Sequence, residues 1–356
     1  MSDAVHRFLL RDAAVRGEIV TLDTAWREVV SRHDLPAPVR DRLGELSAAA
    51  LLLSATLKFD GTLVLQIHGD GPVSLFVVEA APDGGYRATA KLRDGSVIGD
   101  ATRLTELVNA HGRGRFVVTL DPRSASRNRQ TYQGIVPFEG GSVAAALEQY
   151  MARSEQLPTR LWLAADERRA VGLLLQRLPL DGGYAIADDG LAAETSSAVG
   201  LSSAIGAVST IEASSAIAAS ASDASRSATP TAPMTAAPTA VPLDADGWNR
   251  LQHLADTVTS TELLTLPPER LLTRLFWQEP LHAFDRRDCR FACRCTRDKV
   301  ADMLRLLGRD EVDGIVAELG HVEVRCEFCN QPYAFDAVDC AGLFVPEPMT
   351  GSAIRH

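Results

Sequence analysis

All six cysteines of this 356-residue chain, Cys289, Cys293, Cys295, Cys326, Cys329 and Cys340, fall in its last 68 residues. Six are too few to staple a chain of this length with disulfides. Two close pairs, Cys293-Arg294-Cys295 and Cys326-Glu327-Phe328-Cys329, instead give the spacing C-x-C-x30-C-x2-C. Brought together, they supply four soft thiolates, the set that zinc takes tetrahedrally in structural sites. The interval predicts two short helices. Thr296 can cap the first, Val300, Met303, Leu304 and Leu307 form its apolar stripe, and Gly308 can end it. Asp310 and Asp313 open a second over 311–319, closed by Gly320. Residues 322–326 alternate like a strand, turn at the second cysteine pair and return through Tyr333 and Phe335. So small a module has few large apolar residues, and its folding should depend on the metal. Four protein ligands leave no place for water, so the predicted role is structural and not hydrolytic. His321 reads as a surface histidine, and Cys289 and Cys340 as small, semi-buried apolar side chains outside the quartet.

Zinc-bound thiolates are already deprotonated, so an oxidant meets a ready nucleophile. Disulfide formation removes ligands and releases the metal. For a domain folded by its zinc, that loss is an order-to-disorder change, and it uncovers whatever the module or its neighbouring helices had covered.

The rest of the chain falls into three parts. Residues 1–180 read as an α+β domain. A core helix is expected over 43–58 (LGELSAAALLLSATLK), and a hairpin of strands over 62–68 and 73–79. A second strand pair is expected at 116–120 and 131–138, a Ser142-capped helix over 142–154, and further strands at 160–164 and 172–178. Residues 181–244 read as a disordered insert: between 191 and 240, 27 of 50 residues are Ala or Ser, four are charged and none is aromatic. Residues 245–287 read as a helical linker, with apolar stripes at Leu251, Leu254 and Val258 and, after Pro267-Pro268, at Leu271, Leu272, Leu275 and Phe276. Residues 288–345 form the zinc module.

A formal net charge of -10 argues against nucleic acid as a partner, and between residues 288 and 340 seven Lys and Arg face eleven Asp and Glu. That balance weighs against a zinc-ribbon nucleic-acid binder. A dithiol oxidoreductase is disfavoured because Cys326-x2-Cys329 runs into Asn330-Gln331-Pro332 and strand residues, not into a helix that would acidify a thiol. Asp60, His68, Asp70 and Glu79 are explained by turns and solvated strand faces. No nucleophile elbow, dinucleotide fingerprint or P-loop is present, so no catalytic residue is assigned and no enzyme is expected. No run of about 18 strongly apolar residues and no signal-peptide core occurs, which predicts a soluble, cytoplasmic protein without a membrane partner.

The segment FACRCTRDKVADMLRLLG, with EVDGIVAELGHVEVRCEFCNQPYAFDAVD after it, resembles the redox-switch domain of the heat shock protein 33 family of oxidant-activated chaperones. VRGEIVTL at 15–22, ATLKFDG at 55–61, GDGP at 69–72, YQGIV at 132–136, RSEQLPTRL at 153–161 and TELLTLP at 261–267 extend the likeness over nearly the whole chain except the insert. The resemblance implies that Cys293, Cys295, Cys326 and Cys329 bind zinc when reduced. On oxidation it implies disulfides of Cys293 with Cys295 and of Cys326 with Cys329. It further implies a metastable linker, here about 248–287, that unfolds with the zinc module and helps to bind unfolding client proteins. Activated members would form homodimers, prevent aggregation without ATP, and pass clients to ATP-dependent chaperones. Two features depart from the family pattern: the insert, which loosens the coupling between linker and N-terminal domain, and the extra cysteines, which could divert the disulfides.

Overall fold

The computed structural model describes residues 3–56, 60–122, 131–154, 157–178, 246–284 and 286–345. The expected insert at 181–244 and most of the polar loop between the second pair of strands lie outside the described residues.

The chain opens with β1 (Ala4–Leu10) and β2 (Val15–Leu22), then α1 (Thr24–Val30) and the long α2 (Ala37–Thr56). Strands β3 (Gly61–His68), β4 (Val73–Ala80) and β5 (Gly85–Leu92) follow, then α3 (Leu104–Val108), β6 (Arg115–Pro122) and β7 (Tyr132–Pro137). Helix α4 (Val143–Ser154) precedes the hairpin of β8 (Thr159–Ala165) and β9 (Ala170–Arg177). Ser142 accepts from the Ala145 N–H at 3.1 Å, as its place before α4 predicts. The strands form two sheets. One runs β1-β2-β9-β8, all antiparallel; the other runs β5-β4-β3-β6-β7, also antiparallel.

Helix α2 is sandwiched between them. Leu43, Leu46 and residues 48–52 are fully buried, because a helix apolar all round has to be enclosed. Its hydroxyls are satisfied within the helix: Ser47 donates to the Leu43 carbonyl at 2.8 Å and Thr56 to that of Leu52 at 2.6 Å.

The segment expected to be a helical linker starts with α5 (Gly247–Ala255), α6 (Ser260–Thr265) and α7 (Pro268–Phe276). These helices lie on the face of the first sheet that α2 leaves free: Leu251, Leu263, Leu271, Leu275 and Phe276 pack with Phe8, Leu10, Ile19, Leu173 and Leu175. Gly17 makes room there, since a Cβ would stand 2.0 Å from the Phe8 ring, which itself meets the Phe276 ring at 6.2 Å. The linker is not wholly helical. It continues as β10 (Leu281–Ala283) and β11 (Arg287–Asp288), both paired antiparallel with β1, and then β12 (Arg290–Phe291), paired parallel with β5. The short pieces between 281 and 292 thus edge both sheets. Such short pieces carry no alternation to read. Gly84 permits the crossing: its φ is +77° and a Cβ would stand 2.0 Å from the Asp288 carbonyl oxygen.

After the first cysteine pair come α8 (Arg297–Leu307), α9 (Arg309–Leu319), the antiparallel hairpin of β13 (His321–Arg325) and β14 (Pro332–Asp336), and α10 (Ala337–Leu343). Thr296 caps α8 through the Lys299 N–H, Gly308 separates the two helices at φ +100°, and Gly320 ends α9 in the left-handed conformation. The apolar stripe of α8 is narrower than its sequence suggests. Leu304 is buried, but Met303 is 47% and Leu307 51% exposed, because the core they would face is only six buried residues. Among the described residues no helix is long and apolar enough to cross a membrane.

Candidate metal centre

Two turns deliver the thiols. Cys293 and Cys295 follow directly on β12, whose last ladder bond is the Ala292 N–H to the Tyr86 carbonyl at 2.8 Å. Cys326 and Cys329 flank the tight turn between β13 and β14, closed by the Asn330 N–H to the Cys326 carbonyl at 2.8 Å, with Asn330 at φ +57°. Asparagine tolerates that conformation better than most residues.

The four Sγ atoms all lie within 4.8 Å of one another. Cys293 is 3.4 Å from Cys295 and 3.6 Å from Cys326, and Cys295 is 3.3 Å from Cys329. Tetrahedral zinc at a Zn–S length of ~2.3 Å sets its sulfurs about 3.8 Å apart. The donor set and its spacing therefore fit a metal ion held by four thiolates. The near-equal distances favour no pairing of the cysteines. Tyr333 donates its hydroxyl to Cys295 Sγ at 3.2 Å. Burial alone would raise the Cys295 thiol, but that bond and the neighbouring thiols pull it down to about 7.

The N-terminal half supplies much of the outer surroundings. Arg32, at the end of α1, donates to the Cys329 carbonyl at 3.1 Å, and His33 Nε2 meets the Phe328 carbonyl at 3.1 Å. Arg87 on β5 lies 4.0 Å over the Phe328 ring, reaches the Cys293 sulfur, and is itself held by two 2.8 Å bonds to Glu79. Lys91 pairs with Glu327 at 3.4 Å across an exposed gap, where an ion pair contributes little. Cationic groups thus stand around a cluster that four thiolates would make anionic, and they tie the second cysteine turn to the N-terminal sheet. These residues carry no local signal in the sequence: Arg32 and Cys329 are 297 positions apart.

The other residues singled out from sequence lie elsewhere. Cys289 and Cys340 are buried away from the quartet, at 6% and 1% exposure. His321 is exposed and turned to the Leu319 carbonyl. Asp70 accepts backbone N–H groups of His111 and Arg113, and Glu79 holds Arg87, so both have structural partners.

The family model described as Hsp33 protein matches residues 3–336. The chain belongs to the Hsp33 family. Two Hsp33 relatives span it almost completely. The 33 kDa chaperonin of Methylobacillus flagellatus is 40% identical over 358 residues, covering 100% of this chain and 99% of its own. That of Nitrosococcus oceani is 37% identical over 357 residues, covering 99% of each. The crystal structure of the 33 kDa chaperonin, a heat shock protein 33 homologue, from Thermotoga maritima superposes with a TM-score of 0.68 at 18% identity. It covers 96% of this chain and 98% of its own, which establishes the shared fold.

Proposed function

We propose that this Hsp33 member is a redox-regulated, ATP-independent holdase whose metal is zinc. In the reduced state Cys293, Cys295, Cys326 and Cys329 hold one Zn2+, which supplies the folding free energy of residues 288–345. On oxidation each cysteine pair loses two electrons and joins in a disulfide, here Cys293 with Cys295 and Cys326 with Cys329. One hydrogen peroxide per pair takes those electrons with two protons and leaves as two waters. The metal, deprived of its ligands, departs. Residues 245–287 then lose their anchorage and uncover apolar surface that binds unfolding proteins in the cytoplasm before ATP-dependent chaperones take them over, with the active form a homodimer.

The observation that carries this reading is chain continuity. The helices that cover Phe8, Leu10 and Ile19 lead through residues 281–292 directly into Cys293. Disorder at the thiols is therefore transmitted to the cover of an apolar sheet face without a separate signal. The test is to follow aggregation of a chemically unfolded protein in the presence of the reduced and the peroxide-oxidised chain, with zinc release recorded in parallel and the disulfides mapped by mass. Suppression is expected only after zinc release. Equal suppression by both forms would leave a chaperone without a switch, and a dominant bond to Cys289 or Cys340 would overturn the pairing.

A further inference from the structure

We infer that the outer edge of β1 is a docking site for extended client polypeptide, which joins the first sheet as an added strand in the place that residues 281–288 give up. The inference rests on the functional reading above and specifies where, and by what chemistry, a client is held.

In the structure this edge is already used in that way by the chain itself. Leu281, His282 and Ala283 pair in antiparallel register with Leu10, Leu9 and Phe8, and Arg287 and Asp288 pair with Val5 and Ala4. The Phe284 N–H donates to the Arg7 carbonyl and the Cys289 N–H to the Asp3 carbonyl, each at 2.9 Å. Side chains add little at the β10 end: His282, Ala283 and Phe284 are exposed there. A strand seated mainly by its main chain is seated with little regard to sequence, as a site for unfolded chains requires.

What makes the resident strand win while the switch is closed is a side chain that a client lacks. Arg287 donates to the carbonyls of Pro82 and Leu51, at 2.9 and 3.4 Å, and to Ser54 Oγ at 3.1 Å. The same stretch is held at its far end by the thiol cluster one residue beyond Ala292. Once that anchor is lost and residues 281–288 lift, β1 becomes the last strand of its sheet and presents a row of unpaired N–H and C=O groups beside the apolar Phe8 and Leu10. A second copy fits this edge poorly. Antiparallel pairing of two β1 strands about their centre would set Arg7 opposite its own counterpart, a like-charge contact.

The experiment pins the resident strand in place. Leu9 and His282 are register partners, and neighbouring strands bring such Cα atoms within disulfide reach. The double variant Leu9→Cys with His282→Cys therefore staples the edge while leaving the four ligands free to oxidise, and the two single variants serve as controls. The oxidised stapled chain is expected to release zinc as the native chain does, yet to need roughly tenfold more protein for half-suppression of aggregation. Amide exchange over residues 3–10 of the oxidised native chain is expected to slow when client is added. Undiminished suppression by the stapled chain overturns the inference. So does slowing that tracks protein concentration without client, which would give the edge to a second copy. If the staple itself retains zinc, Arg7→Pro decides. It removes an edge-facing donor and spares the β2 ladder, so the oxidised variant is expected to lose about tenfold in client affinity, and native affinity overturns the proposal. Failure of the oxidised native chain to suppress aggregation would defeat the functional reading instead.

Discussion

Arg87 joins the two halves of the chain by stacking on Phe328 and reaching Cys293 while Glu79 holds it in place. Arg87→Ala is expected to speed peroxide-driven zinc release about tenfold, read with a zinc-sensitive dye, because outer-shell partners typically change metal retention by 10- to 100-fold. Arg87→Lys keeps the charge without the planar stack and is expected to restore only part of the native rate. The four cysteines that cluster were legible in the sequence, since pairs two or three positions apart are local facts. Arg32, His33 and Arg87 were not, because only the folded chain brings them to the second cysteine turn. Glu18 on β2 is a different kind of residue. It is 3% exposed, and burial pushes its carboxyl up to about 7 against the pull of Arg16 and of Thr56. Between the unfolded value of 4.5 and about 7 the folded chain binds the extra proton. The Glu18 contribution to stability is therefore expected to fall by about 3 kcal/mol as pH rises through that window and to level off above it. Glu45 on α2, likewise pushed up to about 7 by burial, acts in the same window, so Glu18→Gln should remove only the Glu18 share of the slope and gain stability at pH 8, measured by denaturant unfolding at both ends of the window.

At the scale of elements, α5 to α7 cover one face of the first sheet, and in the proposed switch their hold on it sets how readily that face is uncovered. Leu271 is fully buried in that contact. Leu271→Ala is expected to cost roughly 2–4 kcal/mol there and to let the reduced, zinc-loaded chain bind a hydrophobic dye that the native chain excludes; unchanged dye binding would show that the cover is held elsewhere. The helices were legible because their apolar stripes keep helical period. The strands expected from sequence were those with short, nearly unbroken apolar runs, such as FVVTL at 116–120 and GLLLQRL at 172–178. β1, β2 and β5 were missed, since charged and small residues interrupt AVHRFLL, VRGEIVTL and GYRATAKL. Pairing supplies what the pattern lacks: β1 and β2 form a hairpin, β5 pairs with β4, and β2 is paired from Val15 to Leu22 with the distant β9.

In the molecule as a whole, the apolar interior is divided very unequally. One extended cluster surrounds α2, a second lies beneath the linker helices, and the cysteine module has a core of only Ala301, Leu304, Val312, Val322, Phe335 and Cys340. A chelator added to the reduced protein is expected to abolish protection from amide exchange over residues 293–343 while α2 and its sheets keep theirs, because the small core cannot replace the metal's contribution. Retained protection in the module would show that it folds without metal. Cys289 adds something of a different nature. Burial pushes its thiol up to about 12, against the pull of Arg287, and the strand segment around it seals it between β1 and Gly84. A small alkylating reagent should therefore ignore Cys289 while residues 281–292 are seated and consume it as soon as they lift. If the proposed switch operates, the chain carries its own stopwatch: the labelling rate of one native sulfur, followed by mass at successive times, would rise when oxidant lifts residues 281–292, with no engineered cysteine needed.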